Sequence, residues 1–359
     1  MRLLVVGGGS AGHVLPALPV MEAMLARGDE VEFVGTTSGL EEDLVRHLPI
    51  RFHAIAAGKL RRYWSWQNLL DVFRIFWGIV QSLLLMLRRK PDAVFSKGGF
   101  VSFPVVLAAW LCRRPVVAHE SDLTPGLANR LVMPFVRTLC VSFPETHASG
   151  RARVVHTGTP LRAQMLEGDA ERGRQRLGLA PDQRLLVVTG GSLGADYLNR
   201  VVREAAAQLT RSHVVLHVCG EGKVVSNPQL DHLPDYRQVE YVGAGWGDIL
   251  CAADIVVSRA GANTLFELLS LQKLMLLVPL SAAASRGDQL ENAAYARDRG
   301  LCAVVLETDL TSASLAQEIA TLSARREEIS GALQAFEIPQ SVPRIVEEIL
   351  ALVSPATAA

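Results

Sequence analysis

Cysteine is scarce and scattered in this sequence of 359 residues. The five cysteines are odd in number and form no CxxC pair or Cys/His cluster, a pattern that disfavours disulfide bonds and zinc sites. We therefore expect a protein of a reducing compartment such as the cytosol. The five are Cys112, Cys140, Cys219, Cys251 and Cys302.

An excess of charge of either sign is also missing. The sequence has 36 Lys and Arg residues against 36 Asp and Glu residues, so its formal net charge is zero. Without a global electrostatic field, the chain is not expected to bind nucleic acid. Any anion-binding site must therefore be local.

The sequence has no clean apolar run long enough to cross a membrane. Only LLVV precedes the first glycines, too short for the apolar core of a signal peptide, so we expect no export. The most apolar stretch, residues 68–91, is interrupted by Asp71, Arg74 and Gln81. The pattern predicts a helix that packs against the protein core over most of this stretch. Its basic, tryptophan-rich flank is the part expected to lie on an anionic membrane: Lys59, Arg61, Arg62, Tyr63, Trp64 and Trp66.

Two common nucleotide-binding motifs are absent. The first glycine turn does not read as GxGxxG, and the segment after the second strand, VGTTSGLEE, has no evident acidic partner for a ribose. These features disfavour a dehydrogenase. No GxxxxGK[ST] segment occurs, which excludes the P-loop NTPases.

Short β-rich runs instead alternate with helical patterns along the whole chain. RLLVVGGG, EVEFVGT and AVFSKGG begin the series, and RLLVVTGGSLGA restarts it. This alternation predicts an α/β protein with two doubly wound parallel sheets. We place the linker near residues 158–168, giving domains 1–163 and 164–340. The last helix, about 341–353, is compatible with either domain, and the first domain is extended to 341–359 if it belongs there.

Four glycine turns follow predicted strands, at Gly7–Gly12, Gly98–Gly99, Gly190–Gly194 and Gly261. Each places backbone N–H groups at the carboxyl edge of a sheet, where open α/β sheets bind ligands. His13 falls in the first turn of the helix after the first of them. It is either a polar residue at a helix start or a general base.

Several segments then follow one another in order: GGSAGHVLPALPVMEAMLARGDEVEFVGT, SKGGFVSFPVVLAA, VVAHESDLTPGLANRL, TGTPLR, VTGGSLGADYLN, DIVVSRAGANTLFELLSLQKLMLLVPL and SRGDQLENA. Together, over nearly the whole chain, they resemble the MurG family of peptidoglycan glycosyltransferases. The resemblance implies the GT-B fold, with two Rossmann-like domains facing a cleft. The amino-terminal domain would receive the lipid acceptor and face the membrane, and the second domain would bind the UDP-sugar.

The same resemblance implies an inverting transfer of N-acetylglucosamine from UDP-N-acetylglucosamine to the lipid-linked muramyl-pentapeptide. No metal and no cofactor are expected, in agreement with the absence of a DxD pair near a strand end. The diphosphate charge would then be met by helix N-termini, backbone donors and hydroxyls. The expected location is the cytoplasmic face of the cell membrane, as a peripheral protein on an anionic inner-membrane surface.

The resemblance implies that the first glycine turn lies at the cleft against the donor and acceptor phosphates, with His13 as the candidate base for the acceptor hydroxyl. Glu120 is the next carboxylate to test as the base, although ordering of the following loop is its favoured role. Asn129 would bind sugar or acceptor. The turn residues are Ser10, Ala11 and Gly12.

On the donor side, the resemblance implies that Glu267 accepts from the ribose hydroxyls, rather than serving only the dipole of its helix. Gln289 would read the sugar hydroxyls, with Asp288 and Asn292 as second candidates. The uracil wall and the phosphate contacts complete the set: Val242, Ala262, Asn263, Thr264, Leu265 and Phe266, with Ser192 and Arg162.

The sequence departs from the family pattern at several positions. Ser10 and Ala11 stand where threonine and glycine are usual, and Leu193 stands where a glutamine would supply an amide. AHES and TGTP replace HEQN and TGNP, which weakens the expectation for acceptor-side and hinge contacts. Three alternatives stay open: a GT-B enzyme with another acceptor, such as a diacylglycerol, a UDP-N-acetylglucosamine 2-epimerase, and an inactive membrane-associated scaffold.

Overall fold

The computed structural model describes residues 1–37, 39–58, 66–147, 150–191, 194–282 and 285–353, with the backbone alone for 66–70. The chain divides into two compact units. The first comprises Met1–Arg162 and the chain from Pro339 onward, and the second is Ala163–Ile338.

The first unit is built on a parallel sheet of seven strands within the described ranges, in the order β3-β2-β1-β4-β5-β6-β7. The strands are β1 (Arg2–Gly7), β2 (Glu30–Thr36), β3 (Arg51–Ile55), β4 (Ala93–Gly98), β5 (Val116–Glu120), β6 (Thr138–Val141) and β7 (Arg153–His156). Its helices up to the boundary are α1 (Ala11–Val14), α2 (Leu18–Ala26), α3 (Glu41–Val45), α4 (Trp66–Arg89), α5 (Ser102–Leu111) and α6 (Leu127–Val132). Two single 3₁₀ turns, Leu15–Ala17 and Met133–Phe135, extend α1 and α6.

The continuous apolar strands of the first unit are buried on both faces. Leu3 and Val5 of β1 belong to one core cluster, whereas Leu4 and Val6 belong to another on the opposite face. This alternation follows from the two-residue period of a strand covered by helices on both sides. Helix α2 covers the first face, and α5 covers the second.

The second unit repeats this plan with six parallel strands in the part of the chain that is described, in the order β10-β9-β8-β11-β12-β13. The strands are β8 (Leu185–Thr189), β9 (Val214–Val218), β10 (Tyr236–Val239), β11 (Ile255–Ser258), β12 (Met275–Leu277) and β13 (Ala303–Val304). The helices are α7 (Ala163–Leu166), α8 (Ala170–Leu177), α9 (Asp196–Leu209), α10 (Pro228–Asp231), α11 (Trp246–Ala252), α12 (Ala262–Ser270), α13 (Asp288–Asp298), α14 (Ser312–Ala324) and α15 (Arg326–Ala335). The prediction of two doubly wound α/β sheets is confirmed.

The last helix, α16 (Ser341–Val353), packs in the first unit. Ile345 and Ile349 are fully buried in the same core cluster as α2. The Ser341 hydroxyl donates to the Thr159 carbonyl oxygen at 2.7 Å, and Glu348 forms an ion pair with Arg153. The first sheet is therefore covered by a helix from the far end of the chain.

Replacing Ile349 with alanine should destabilise the first unit. The substitution leaves a cavity under α16, and large-to-small changes of buried isoleucine cost about 2–5 kcal/mol. Urea denaturation measures the loss, with the exposed Glu347→Ala on the same helix as the control. Equal stability of the two variants would show that α16 does not support this core.

Candidate functional site

The first glycine turn leads directly from the end of β1 into α1. Ser10 precedes the helix in extended conformation, and its Oγ lies 2.9 Å from Nδ1 of His13. The His13 backbone N–H donates to the Ser10 carbonyl oxygen at 3.1 Å. Ser10 and Gly12 are exposed, whereas Ala11 and His13 are half-buried. The turn therefore presents a hydroxyl and an oriented imidazole at the carboxyl edge of the sheet.

The glycine turn after β4 brings His13 and Asn129 together. Gly98 has a φ of +100°, and a Cβ built on it would lie 3.4 Å from both His13 Cδ2 and the Asn129 amide atoms. Because strands β1 and β4 are neighbours, their loops meet at this edge. Two residues that the sequence placed in the site thus flank one bare glycine.

Glu120, at the end of β5, is engaged in ordering the loop that follows it. Its Oε1 accepts from the Asp122 N–H at 3.0 Å, and its Oε2 accepts from Gly126 N–H and Asn129 Nδ2 at 2.9 Å each. The side chain is 5 % exposed. These contacts support the loop-ordering role and leave no oxygen of Glu120 without a donor.

The side-chain NH₂ group of Asn129 is held by two hydrogen-bond acceptors. Its Nδ2 donates to the His119 carbonyl oxygen at 3.2 Å as well as to Glu120. Its buried Oδ1 has no hydrogen-bond partner among the described residues. Buried acceptors of this kind are uncommon in folded proteins, and this one lies beside Gly98.

A buried lysine that no sequence motif indicates lies in the same unit, at the end of β4. Lys97 is 2 % exposed, and its Nζ donates to Ser121 Oγ at 2.5 Å. Burial lowers the pKa of Lys97 to about 8, against the raising effect of Glu120 and Asp122. Burial and the Lys97 charge hold the pKa of His119 well below its ordinary value, and His119 Nε2–H donates to the Gly158 carbonyl oxygen. His119 is therefore neutral and structural.

The residues of α12 that were predicted to bind the UDP-sugar fall into a buried group and an accessible group. Ala262, Leu265 and Phe266 are at most 4 % exposed, so their side chains belong to the core of the second unit. Asn263, Thr264 and Glu267 are only half-buried at the start of the same helix. A ligand at this edge can therefore meet the side chains of the second group and only the backbone of the first.

Helix α13 joins the turns after β11 and β12. Gln289 Oε1 accepts from the Leu280 N–H at 3.0 Å, and Asn292 Nδ2 donates to the Ala260 carbonyl oxygen at 3.2 Å. Asn292 is fully buried. The side-chain oxygen of Gln289 is therefore occupied by the turn after β12, and Asn292 has a structural role.

Arg259, which was not predicted from the sequence, connects the segments that follow three strands. It is 7 % exposed, its Nη1 donates to the Val278 carbonyl oxygen at 3.1 Å, and Nη2 pairs with Glu307. The guanidinium thus ties the turn after β11 to those after β12 and β13. Nothing local in SRAGANTLFE indicates a partner 48 residues away.

The remaining predicted site residues are either accessible at single positions or lie outside the described part of the chain. Val242 is half-buried just after β10, and Arg162 is the last residue of the first unit. Ser192 and the departure Leu193 lie outside the described residues, as do Lys59, Arg61, Arg62, Tyr63, Trp64 and the Trp66 side chain. No group of His, Cys, Asp and Glu suited to a metal ion occurs in the described part of the chain.

Helix α4 carries an exposed apolar surface, defined here by Phe73, Phe76, Trp77, Leu84 and Leu87, which are 45–66 % exposed. Its other side faces inward through Ser82 and Met86, both at most 1 % exposed. Over the described side chains, those of residues 71–89, the helix is therefore buried along one side, rather than for most of its surface as expected. Of the described helices, none is long and apolar enough to span a membrane.

Comparisons with known proteins agree along the chain. The family model of the glycosyltransferase family 28 N-terminal domain matches residues 3–141, and that of its C-terminal domain matches residues 185–347. A Legionella pneumophila (strain Paris) protein named UDP-N-acetylglucosamine–N-acetylmuramyl-(pentapeptide) pyrophosphoryl-undecaprenol N-acetylglucosamine transferase is 44 % identical over 95 % of this chain and 94 % of its own. A Clostridium perfringens (strain SM101 / Type A) protein of the same name is 41 % identical over 97 % of both chains.

Solved structures with the same fold include glycosyltransferases and an epimerase. The crystal structure of Acinetobacter baumannii MurG has a TM-score of 0.76 at 24 % identity, covering 98 % of this chain and 99 % of its own. A UDP-N-acetylglucosamine 2-epimerase described as putative, from Listeria monocytogenes, has a TM-score of 0.70 at 14 % identity, covering 98 % and 95 %. At these identities the likeness concerns the fold alone.

The Glu120→Ala variant should lose stability, because three donors are left without their acceptor. An orphaned buried hydrogen-bonding group costs about 1–3 kcal/mol, so we expect a loss of at least about 2 kcal/mol in urea denaturation. Glu145→Ala, an exposed carboxylate after β6, is the control. Unchanged stability of Glu120→Ala would remove the loop-ordering role and favour direct chemistry.

Proposed function

The chain belongs to glycosyltransferase family 28 and, within it, to the MurG-type N-acetylglucosamine transferases, and from this membership we propose the reaction that it catalyses. It moves N-acetylglucosamine from UDP-N-acetylglucosamine to the 4-hydroxyl of undecaprenyl-pyrophosphoryl-N-acetylmuramyl-pentapeptide. The observation that carries this proposal is 41–44 % identity over at least 95 % of the chain to transferases whose names state this donor and acceptor.

The transfer is a single displacement that inverts the anomeric centre. The acceptor oxygen attacks C1 of the α-linked sugar, the C1–O bond to UDP breaks, and a β(1→4) bond forms. The acceptor hydroxyl loses its proton, and UDP leaves with the electron pair of the broken bond. The reaction therefore requires a base on one side and donors for the diphosphate on the other.

His13 is the base in this proposal. A neutral imidazole can accept a proton through Nε2 only when Nδ1 carries the hydrogen. Ser10 Oγ, 2.9 Å from Nδ1, is placed to accept that hydrogen. In that tautomer the basic lone pair is on Nε2, the nitrogen away from the turn, and Asn129, which lies beside Gly98 together with His13, contacts the lipid acceptor.

The donor is bound by the second unit in this proposal. The half-buried Glu267 accepts from the ribose hydroxyls, and the start of α12 with Val242 lines the uracil. The glycine turn after β8, with Ser192, and the start of α9 supply donors to the diphosphate, since helix N-termini favour anions. Arg162 meets a phosphate, and the Gln289 amide N–H donates to a sugar hydroxyl.

The first unit faces the lipid acceptor and the membrane. An exposed apolar surface on one helix fits the headgroup region, where apolar side chains are buried and nearby cations attract anionic lipids. Arg74, Arg88 and Lys90 are exposed along and just after α4. We therefore locate the protein peripherally on the cytoplasmic face of the cell membrane, in wall synthesis, with consequences for cell shape and division.

The reaction is tested with labelled UDP-N-acetylglucosamine and three parallel acceptor conditions: lipid-linked muramyl-pentapeptide, diacylglycerol, and no acceptor. With EDTA present, label should enter only the muramyl lipid, with stoichiometric release of UDP. Label in diacylglycerol would move the function to glycolipid synthesis. Formation of UDP-N-acetylmannosamine without acceptor would make the protein an epimerase.

Replacing His13 with alanine should lower kcat by about 10²- to 10⁴-fold, the usual contribution of a positioned base. The KM for UDP-N-acetylglucosamine should stay unchanged, because the donor is proposed to bind elsewhere. His47→Ala, an exposed histidine of the same unit, is the control. A kcat for His13→Ala equal to that of His47→Ala would assign the base to another residue.

Removing two rings from the apolar surface of α4 should weaken membrane binding. Phe73 and Phe76 are 66 % and 64 % exposed, so serine at both positions leaves the core intact. Burial of one large apolar side chain contributes about 1.5–3 kcal/mol, so the affinity for vesicles with anionic lipid should fall by about tenfold or more. Leu306→Ser, at an exposed leucine of the second unit, is the control. Equal vesicle affinity of all three proteins would place the membrane contact elsewhere.

A further inference from the structure

A buried carboxylate lies behind the glycine turn that carries Ser10. Glu41 is the first residue of α3, and it is 1 % exposed. Its Oε1 accepts from the Gly9 backbone N–H at 2.8 Å, and its Oε2 accepts from Thr36 Oγ1 at 2.9 Å. One side chain thus links the end of β2 to the turn after β1.

The surrounding backbone leaves space for this carboxylate. A Cβ on Gly8 would lie 2.6 Å from Glu41 Oε1, and a Cβ on Gly39 would collide with Oε2. Gly9 itself has a φ of +88°, a conformation that favours glycine. Gly8 and Gly39 therefore leave room for the Glu41 carboxylate to reach the turn. This gives these positions a reason to be glycine that is separate from any approach by a phosphate.

The contact bears directly on His13. Gly9, held by Glu41, is followed by Ser10, whose hydroxyl pairs with His13 Nδ1. Helix α1 has only four residues, so it offers little intrahelical bonding to orient its own first turn. The two carboxylate oxygens of Glu41 accept from two different segments at once, the Gly9 N–H and the Thr36 hydroxyl. Glu41 therefore holds the residue that directly precedes Ser10.

The same contact decides which amides can meet a phosphate. The Gly9 N–H is committed to Glu41, and a carboxylate at that point repels a second anion. A phosphate group that approaches this turn must then be met further along it, from Ser10 onward. Glu41 also forms part of the wall of a cavity of about 490 Å³, in which Thr36, Asp71, Arg74 and Phe100 take part.

We propose that Glu41 is a positioning residue for the transfer reaction, which acts through Gly9 and Ser10 to set the orientation of His13. This inference rests on the proposed function, because it needs His13 at the acceptor hydroxyl. It assigns a role to an acidic residue after β2 other than the ribose contact of dinucleotide-binding folds. Both Glu41 oxygens bind the protein itself, so its effect on the reaction is indirect.

The test compares three substitutions at Glu41 in the full-length protein with Glu42→Ala, an exposed neighbour in α3. Glu41→Ala should lower kcat by about tenfold to 100-fold through misplacement of the base, with the KM for UDP-N-acetylglucosamine unchanged. Glu41→Gln should retain activity within about threefold, since its carbonyl oxygen accepts from Gly9 and its amide donates to Thr36. Glu41→Asp keeps the charge but withdraws the oxygens by one methylene, and should lose at least about tenfold in kcat.

Two kinetic results would overturn the inference: a kcat of Glu41→Asp equal to that of Glu42→Ala, or a Glu41→Gln variant as impaired as Glu41→Asp. Hydrogen exchange gives a readout that does not depend on activity, since the Gly9 amide should be protected in the natural protein and in Glu41→Gln but not in Glu41→Asp. Equal protection in all three would also refute the role. Failure of the natural protein to use the muramyl lipid would refute the proposed function instead, and the ratios of kcat would then be measured with the acceptor that it does use.

Discussion

The order of strands in each sheet reverses beside its first strand, and the candidate sites depend on that reversal. In the first unit β1 lies between β2 and β4, and in the second β8 lies between β9 and β11. Right-handed crossovers then place successive helices on opposite faces of the sheet, which leaves a crevice at the carboxyl ends of the two central strands. The four glycine turns are the turns that leave these central strands.

Much of this arrangement could be predicted from the sequence because its signals are local. A buried parallel strand is a continuous apolar run, so the strands RLLVVG and LLVVT are visible without a structure. The turn glycines stand directly after them. The neighbourhood of His13 and Asn129 could be anticipated only through the resemblance to a family, since nothing in the sequence itself states that β1 and β4 are adjacent.

The residues that the sequence could not reveal act through contacts between distant segments. Glu41 reads as an ordinary acid at a helix start, and Lys97 as a surface-type residue in a glycine turn, yet both are buried and bonded across the fold. Nothing in the sequence indicates that Arg259 is a buried structural residue, because its role rests on the ion pair with the distant Glu307. Conversely, the hydrophobicity of α4 predicted more burial than the structure shows. A hydrophobic pattern indicates which faces of a helix are apolar, but not whether another element packs against each of them.

The position of α16 makes the second unit an insertion within the first. The chain leaves the first unit at Arg162 and returns only at Pro339. Domains generally fold in the order in which the ribosome delivers them, but here the unit that starts first is completed last. The second unit has its whole sequence available while the first sheet still lacks α16, which together with α2 covers one of its faces. Part of an apolar sheet face of the amino-terminal unit therefore stays uncovered in a nascent chain until α16 has been synthesised.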